Sequence, residues 1–136
     1  MKHPHLATLR ALLLVYGAAT LIHFVHNAEF LPDYPGLPAT WTRAGVYAVW
    51  LAMTSIGIAG WLVTVRGHLA AGLTLVAVYA ACGLDSLGHY VVAPLSQHSM
   101  AMNSTILFEV VAAALVFLEA ARLAIARFAR TRRSPK

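Results

Sequence analysis

Apolar residues in this chain come in four long runs separated by short connectors of polar and turn-forming residues. The runs cover roughly 6–30, 44–65, 69–92 and 100–121. Each is long enough to cross a hydrocarbon core, which takes about 20 helical residues. The connectors carry the breakers: Pro32, Pro35, Gly36 and Pro38 after the first run, Arg66, Gly67 and His68 after the second, Pro94 after the third. Short connectors make successive helices antiparallel neighbours. The pattern therefore predicts an all-α fold, an integral membrane four-helix bundle running up-down-up-down. It forms a single domain over 1–136, with a basic tail from 122 onward.

Composition supports the bilayer and removes other classes. Hydrophobic residues make up 60% of the chain and charged residues 11%, whereas soluble domains carry about 25% charged residues. The single cysteine, Cys82, excludes an intramolecular disulfide, a paired-cysteine redox motif and any all-cysteine metal site. A net charge of +5 would ordinarily suggest nucleic acid, but Arg122, Arg127, Arg130, Arg132, Arg133 and Lys136 follow directly on the last apolar run. That placement points to a membrane surface, with no nucleic-acid partner.

Orientation follows from the same residues. Lys2, Arg10, Arg66 and the C-terminal group fall on one side of a four-span arrangement and only Arg43 on the other. The positive-inside rule then expects a multi-pass protein of the cell membrane with both termini cytoplasmic. The connectors 31–43 and 93–99 face outward, with Tyr34, Trp41 and Tyr90 near the outer boundary and Trp61 near the inner one as an interfacial aromatic belt. Lys2 and Arg10 ahead of the first run also resemble a signal peptide. The run exceeds the usual h-region of about 7–15 residues and lacks a small-x-small cleavage site, so a retained helix is expected.

Ionisable residues inside the spans cost about 2.5–3.5 kcal/mol each at the bilayer centre, so each calls for a reason. They are His23, His26, Asp85, His89 and Glu109. At about 100° per residue, His23, His26 and Asn27 share one arc of helix one, and Asp85 and His89 lie about 40° apart on helix three. His98, Met102, Thr105 and Glu109 form a third stripe if helix four starts near Gln97. The helical rise of 1.5 Å per residue puts His23, Asp85 and Glu109 about 10–14 Å below the outer surface and His26 and His89 about 5–6 Å below it. These stripes predict a polar pocket opening outward.

Imidazoles and carboxylates projecting inward from facing helices are how bundles hold metal ions. The pattern therefore points to a divalent transition metal, Zn, Cu or Fe, with His23, His26, Asp85, His89, His98 and Glu109 as candidate ligands. Asp85 or Asn27 could instead orient a ligating imidazole. Met100 and Met102 beside His98 favour copper slightly, against their ordinary role as core filler.

An open coordination position would support hydrolysis or oxidation of a lipid-soluble or periplasmic small molecule, with Glu109 or Asp85 as the catalytic base. Three alternatives stand beside this: transport of a metal ion or proton without chemistry, a haem-binding electron-transfer bundle using His89 and a helix-one histidine, and a hydrogen-bonded polar cluster holding no ligand. Elsewhere, Arg43 is expected to pair with Asp33 or Glu29, and Glu119 with Arg122. His3, His5, His68 and Asn103 read as solvated boundary residues. Ala48, Ala52, Ser55 and Ala59 read as the packing face of helix two.

Overall fold

The computed structural model describes residues 5–133 and the side chains of 6–130. Lys2, His3 and Lys136, and the side chains of His5, Arg132 and Arg133, lie outside the described residues. The elements are α1 (His5–Glu29), α2 (Arg43–Val65), α3 (Leu69–Leu84), α4 (His89–Val92) and α5 (Met100–Arg133), with 3-10 turns at Leu31–Asp33, Asp85–Gly88 and Leu95–Gln97. There is no strand among the described residues. Three helical stretches, Leu6–Glu29, Arg43–Val65 and Leu69–Val92, are long and apolar enough to cross a membrane, which is consistent with a membrane protein.

The connectors end the helices where their chemistry requires. Thr42 caps α2 by accepting a hydrogen bond from the Gly45 amide at 3.0 Å. At the other end Gly67 adopts φ +94°. Its amide reaches the Thr64 carbonyl and the His68 amide reaches the Val63 carbonyl, the Schellman arrangement that a left-handed glycine allows. This tight turn leaves α2 and α3 antiparallel and in contact along their length.

The four long helices form a ring in which α1 packs on α2 and α5, and α3 packs on α2 and α5. The α1/α2 seam is the loosest of the four contacts. A core of Leu9, Tyr16, Leu73, Val76, Tyr79, Val116 and their neighbours fills the ring. The Tyr16 hydroxyl donates to the Tyr79 carbonyl at 2.9 Å within it.

Several local expectations change. The packing face of α2 is Val46, Met53, Gly57, Gly60 and Thr64, whereas Ala48, Ala52, Ser55 and Ala59 are exposed. Close approach is supplied by glycines: a side chain at Gly57 would overlap the Tyr79 ring, and one at Gly72 would overlap Thr64. The helix expected over 69–92 is interrupted by the 3-10 turn at Asp85–Gly88. The helix expected to start near Gln97 starts at Met100, and it continues through the basic residues to Arg133 instead of ending at 121. Lysine and arginine are good helix formers and favour a helix C-terminus, which accounts for the extension.

Candidate functional site

The expected polar residues gather at the end of the ring that carries the 31–42 and 93–99 connectors. His23 of α1 and Glu109 of α5 are both fully enclosed, at 1% and 0% exposure. The His23 Nε2 lies 3.6 Å from Glu109 Oε2. The Ser86 hydroxyl donates to the same carboxylate oxygen at 2.7 Å. The His89 ring centroid is 5.4 Å from that of His23, and His98 lies 6.2 Å beyond His89.

Local backbone explains who arrives and who does not. A 3-10 turn advances about 120° per residue instead of 100°, so Asp85 and His89 part from the common stripe an α-helix would give them. Asp85 is left exposed, with a place only in the lining of a neighbouring cavity. Ser86, which no sequence motif marks, takes the position next to Glu109. His98 is not on α5 either. It sits in the extended link after the third 3-10 turn, turned inward and 6% exposed. Asn103 is not solvated: its amide donates to the carbonyls of Leu95 and His98, and its Oδ1 accepts from the Tyr90 hydroxyl, which pins the link that carries His98.

Tyr34 overturns its expected place in an aromatic belt. It is 4% exposed and lies against three histidines, with ring centroids 6.5 Å from His23, 5.8 Å from His26 and 5.2 Å from His89. Its hydroxyl is 2.9 Å from His26 Nδ1. Burial pushes the phenol up to about 12, so it stays a neutral hydrogen-bonding group at ordinary pH. His26 is thereby committed to the connector, away from the His23–Glu109 pair. Tyr34 escaped the sequence reading because a connector tyrosine looks the same whether it faces inward or outward. Farther out, Arg43 pairs with Glu29 at 2.6 Å, and at the opposite end of the ring Arg122 pairs with Glu119 at 2.7 Å, as expected.

The hydrogen bonds decide which ring nitrogens remain bare. With the Thr105 hydroxyl donating to the Met102 carbonyl at 3.0 Å, its oxygen accepts from His23 Nδ1, 3.4 Å away. This assigns the proton to Nδ1 and leaves a bare Nε2 facing a carboxylate oxygen. Two lone-pair atoms in that position repel unless a proton or a cation lies between them. His98 shows the same form: its Nδ1 lies 3.2 Å from the Pro94 carbonyl, while its buried Nε2 has no partner. At His89, Nε2 lies 3.5 Å from the Asn27 amide nitrogen, and His89 Nδ1 and Asn27 Oδ1 are both buried without partners. Turning the Asn27 amide over lets its oxygen accept from Nε2–H and leaves Nδ1 bare. Glu109 Oε1 and the buried Thr20 hydroxyl are two further atoms without a partner at full hydrogen-bond geometry, although Thr20 is close enough to act on the Glu109 carboxylate. Each such atom costs about 1–3 kcal/mol if nothing meets it.

An imidazole with one nitrogen anchored to protein and the other bare, beside a carboxylate, is what metal-binding histidines adopt. His98 has this form as it stands, His23 in the tautomer set by Thr105 and His89 once the Asn27 amide is turned. Two ligand atoms on a tetrahedral ion at the usual bond lengths lie about 3.3 Å apart, and the centroids of two ligating rings about 5 Å apart. His23 with Glu109 and His23 with His89 come close to both spacings. Among the described residues, however, no three His, Cys, Asp or Glu side chains are grouped as they stand so that they could hold one ion. Comparison with known protein families, curated proteins and solved structures gives no match, so the function has to be argued from this site alone.

Proposed function

We propose that the chain is a four-span membrane protein, both termini cytoplasmic, whose outward end binds one divalent transition metal, Zn, Cu or Fe. His23, Glu109 and His89 are the first ligands and His98 the next. A third ligand must swing in to complete the site, and His89 and His98 are the side chains with a bare nitrogen to bring. The observation that carries the reading is His23 Nε2 facing Glu109 Oε2 at 3.6 Å in an enclosed setting, with Nε2 bare in the tautomer that the Thr105–Met102 hydrogen bond selects. A proton would satisfy that one contact. It would do nothing for the unpartnered atoms of His89 and His98, which a cation with several coordination positions meets together.

A metal held this way supplies Lewis-acid or redox chemistry at the edge of a cavity, which suits hydrolysis or oxidation of a small molecule. Asp85 is the exposed carboxylate at that cavity and is placed to take a proton from substrate or water. Glu109, enclosed on all sides, serves as a ligand in this scheme and not as the base.

Two measurements test the reading. Metal-free protein in detergent should gain several degrees in melting temperature on addition of one of Zn(II), Cu(II) or Fe(II), and the gain should rise with metal concentration. No shift with any of them would leave only a polar cluster, and a Soret band in the purified protein would select haem instead. For topology, a cysteine placed at Ser96 in a Cys82→Ser background should react with an impermeant thiol reagent on intact cells, and one at Ser134 should not. The opposite pattern would turn the site toward the cytoplasm.

A further inference from the structure

A cavity of about 280 Å³ lies beside the histidines, bounded by α1, α2 and the segment from Cys82 to Val92, and away from α5. Its floor is polar, made by His23, Asn27, Asp85, Ser86 and His89, and its side wall is apolar, made by Phe24 of α1 and Val46, Val49 and Met53 of α2. The connector roofs it with Leu31, Leu37 and Trp41. Water arriving from the connector end therefore meets apolar side chains, and Tyr34 lies over the histidines themselves. Trp41, Val49, Asp85 and Val92 are the exposed residues of its lining, so the cavity opens sideways past α2 instead of upward. In a membrane that side faces acyl chains. With the Asn27 amide turned over and His89 Nδ1 given to the metal, the Asn27 amide nitrogen is the buried floor atom left without a partner, and it calls for an oxygen at the inner end.

We propose, building on the metal-site reading, that the occupant of this cavity is a membrane-dissolved amphiphile that enters from the side, past α2. Its oxygen-bearing head, a hydroxyl or carbonyl, sits on the floor at the Asn27 amide, beside His89. Its apolar body lies along Phe24, Val46, Val49 and Met53. The volume is at the low end for small-molecule sites, so it takes the head and the first part of the chain while the rest stays in the side opening. An alkane fits the wall but leaves the floor unpaired. A short water-soluble alcohol pairs with the floor but forfeits the wall.

The test is photo-crosslinking of the full chain in lipid nanodiscs with dodecanol carrying a mid-chain diazirine, read by peptide mass spectrometry. Adducts should concentrate on the peptides holding Phe24, Val46, Val49 and Met53, be displaced by unlabelled dodecanol and not by propanol, and exceed those from the matching diazirine alkane. Val49→Trp, at an exposed position that tolerates a larger ring, should lower wall labelling about tenfold while metal content stays at the wild-type level. Met53→Phe, which narrows the wall from inside, should act in the same direction and serves if the first variant folds poorly. Labelling spread evenly over the exposed faces of all helices, or equal with the alkane, or unchanged in both variants, would overturn the proposal. Wall labelling that survives in a protein shown to bind no metal would uphold the amphiphile site and sink the metal reading, so the two failures can be told apart.

Discussion

The double substitution His23→Ala with His89→Ala is expected to abolish metal binding, lowering affinity by more than about a hundredfold while the helical fold persists. Loss of partners around metal ligands costs about 10–100-fold even where the ligands remain. Removing two ligands therefore exceeds that range, and Thr105→Val, which takes away only the acceptor for His23 Nδ1–H, should fall within it. The fold should survive because the packed core of the ring, around Tyr16, Val76, Tyr79 and Val116, lies outside this cluster. Circular dichroism and melting of the double variant check the fold, and metal titration of the same sample checks the site. A double variant that binds metal like the wild type would show that these imidazoles are not ligands.

Glu109→Gln separates a cation site from a hydrogen-bonded cluster more sharply than any truncation. The amide has nearly the shape of the carboxylate and still accepts from Ser86. If no cation lies between Glu109 and His23, a hydrogen-bonding group is all the position needs, and stability and any activity should barely change. If a metal lies there, the substitution removes a charged ligand. Affinity and activity should then fall about 10–100-fold or more, with the metal-free protein changed by less than about 1 kcal/mol. The discriminating measurement is the melting temperature of the variant with and without metal. Wild-type metal affinity in Glu109→Gln would remove helix α5 from the site.

Much of the architecture was legible because it rests on long-range pattern. Apolar runs of spanning length and the proline, glycine and basic connectors mark where the helices begin and turn, though not the end of α5, which runs on to Arg133. The 1.5 Å rise brought His23 and Glu109 to one depth before any contact was known. What escaped detection was local. On α2, apolar residues surround the helix on every side, so hydropathy carries no signal for the packed face. That face is set by Gly57 and Gly60, whose missing side chains admit Tyr79 and Val76. The 3-10 turn at Asp85–Gly88 has no residue pattern that separates it from a helix, yet it moves Asp85 out and Ser86 in. His98 reaches the site from an extended link that α5 does not include, held by Asn103, a residue that looks solvated from its neighbours in sequence.

A metal ion between His23 and Glu109 should show itself in elemental analysis of the purified wild-type protein. The protein should be extracted in detergent without chelators and without added metal, then assayed for first-row transition metals against protein concentration. Close to one equivalent of a single such metal is expected, retained through gel filtration and lost in the His23→Ala, His89→Ala protein. A folded wild type that carries none, and takes up none when Zn(II), Cu(II) or Fe(II) is supplied, would show that no metal belongs there.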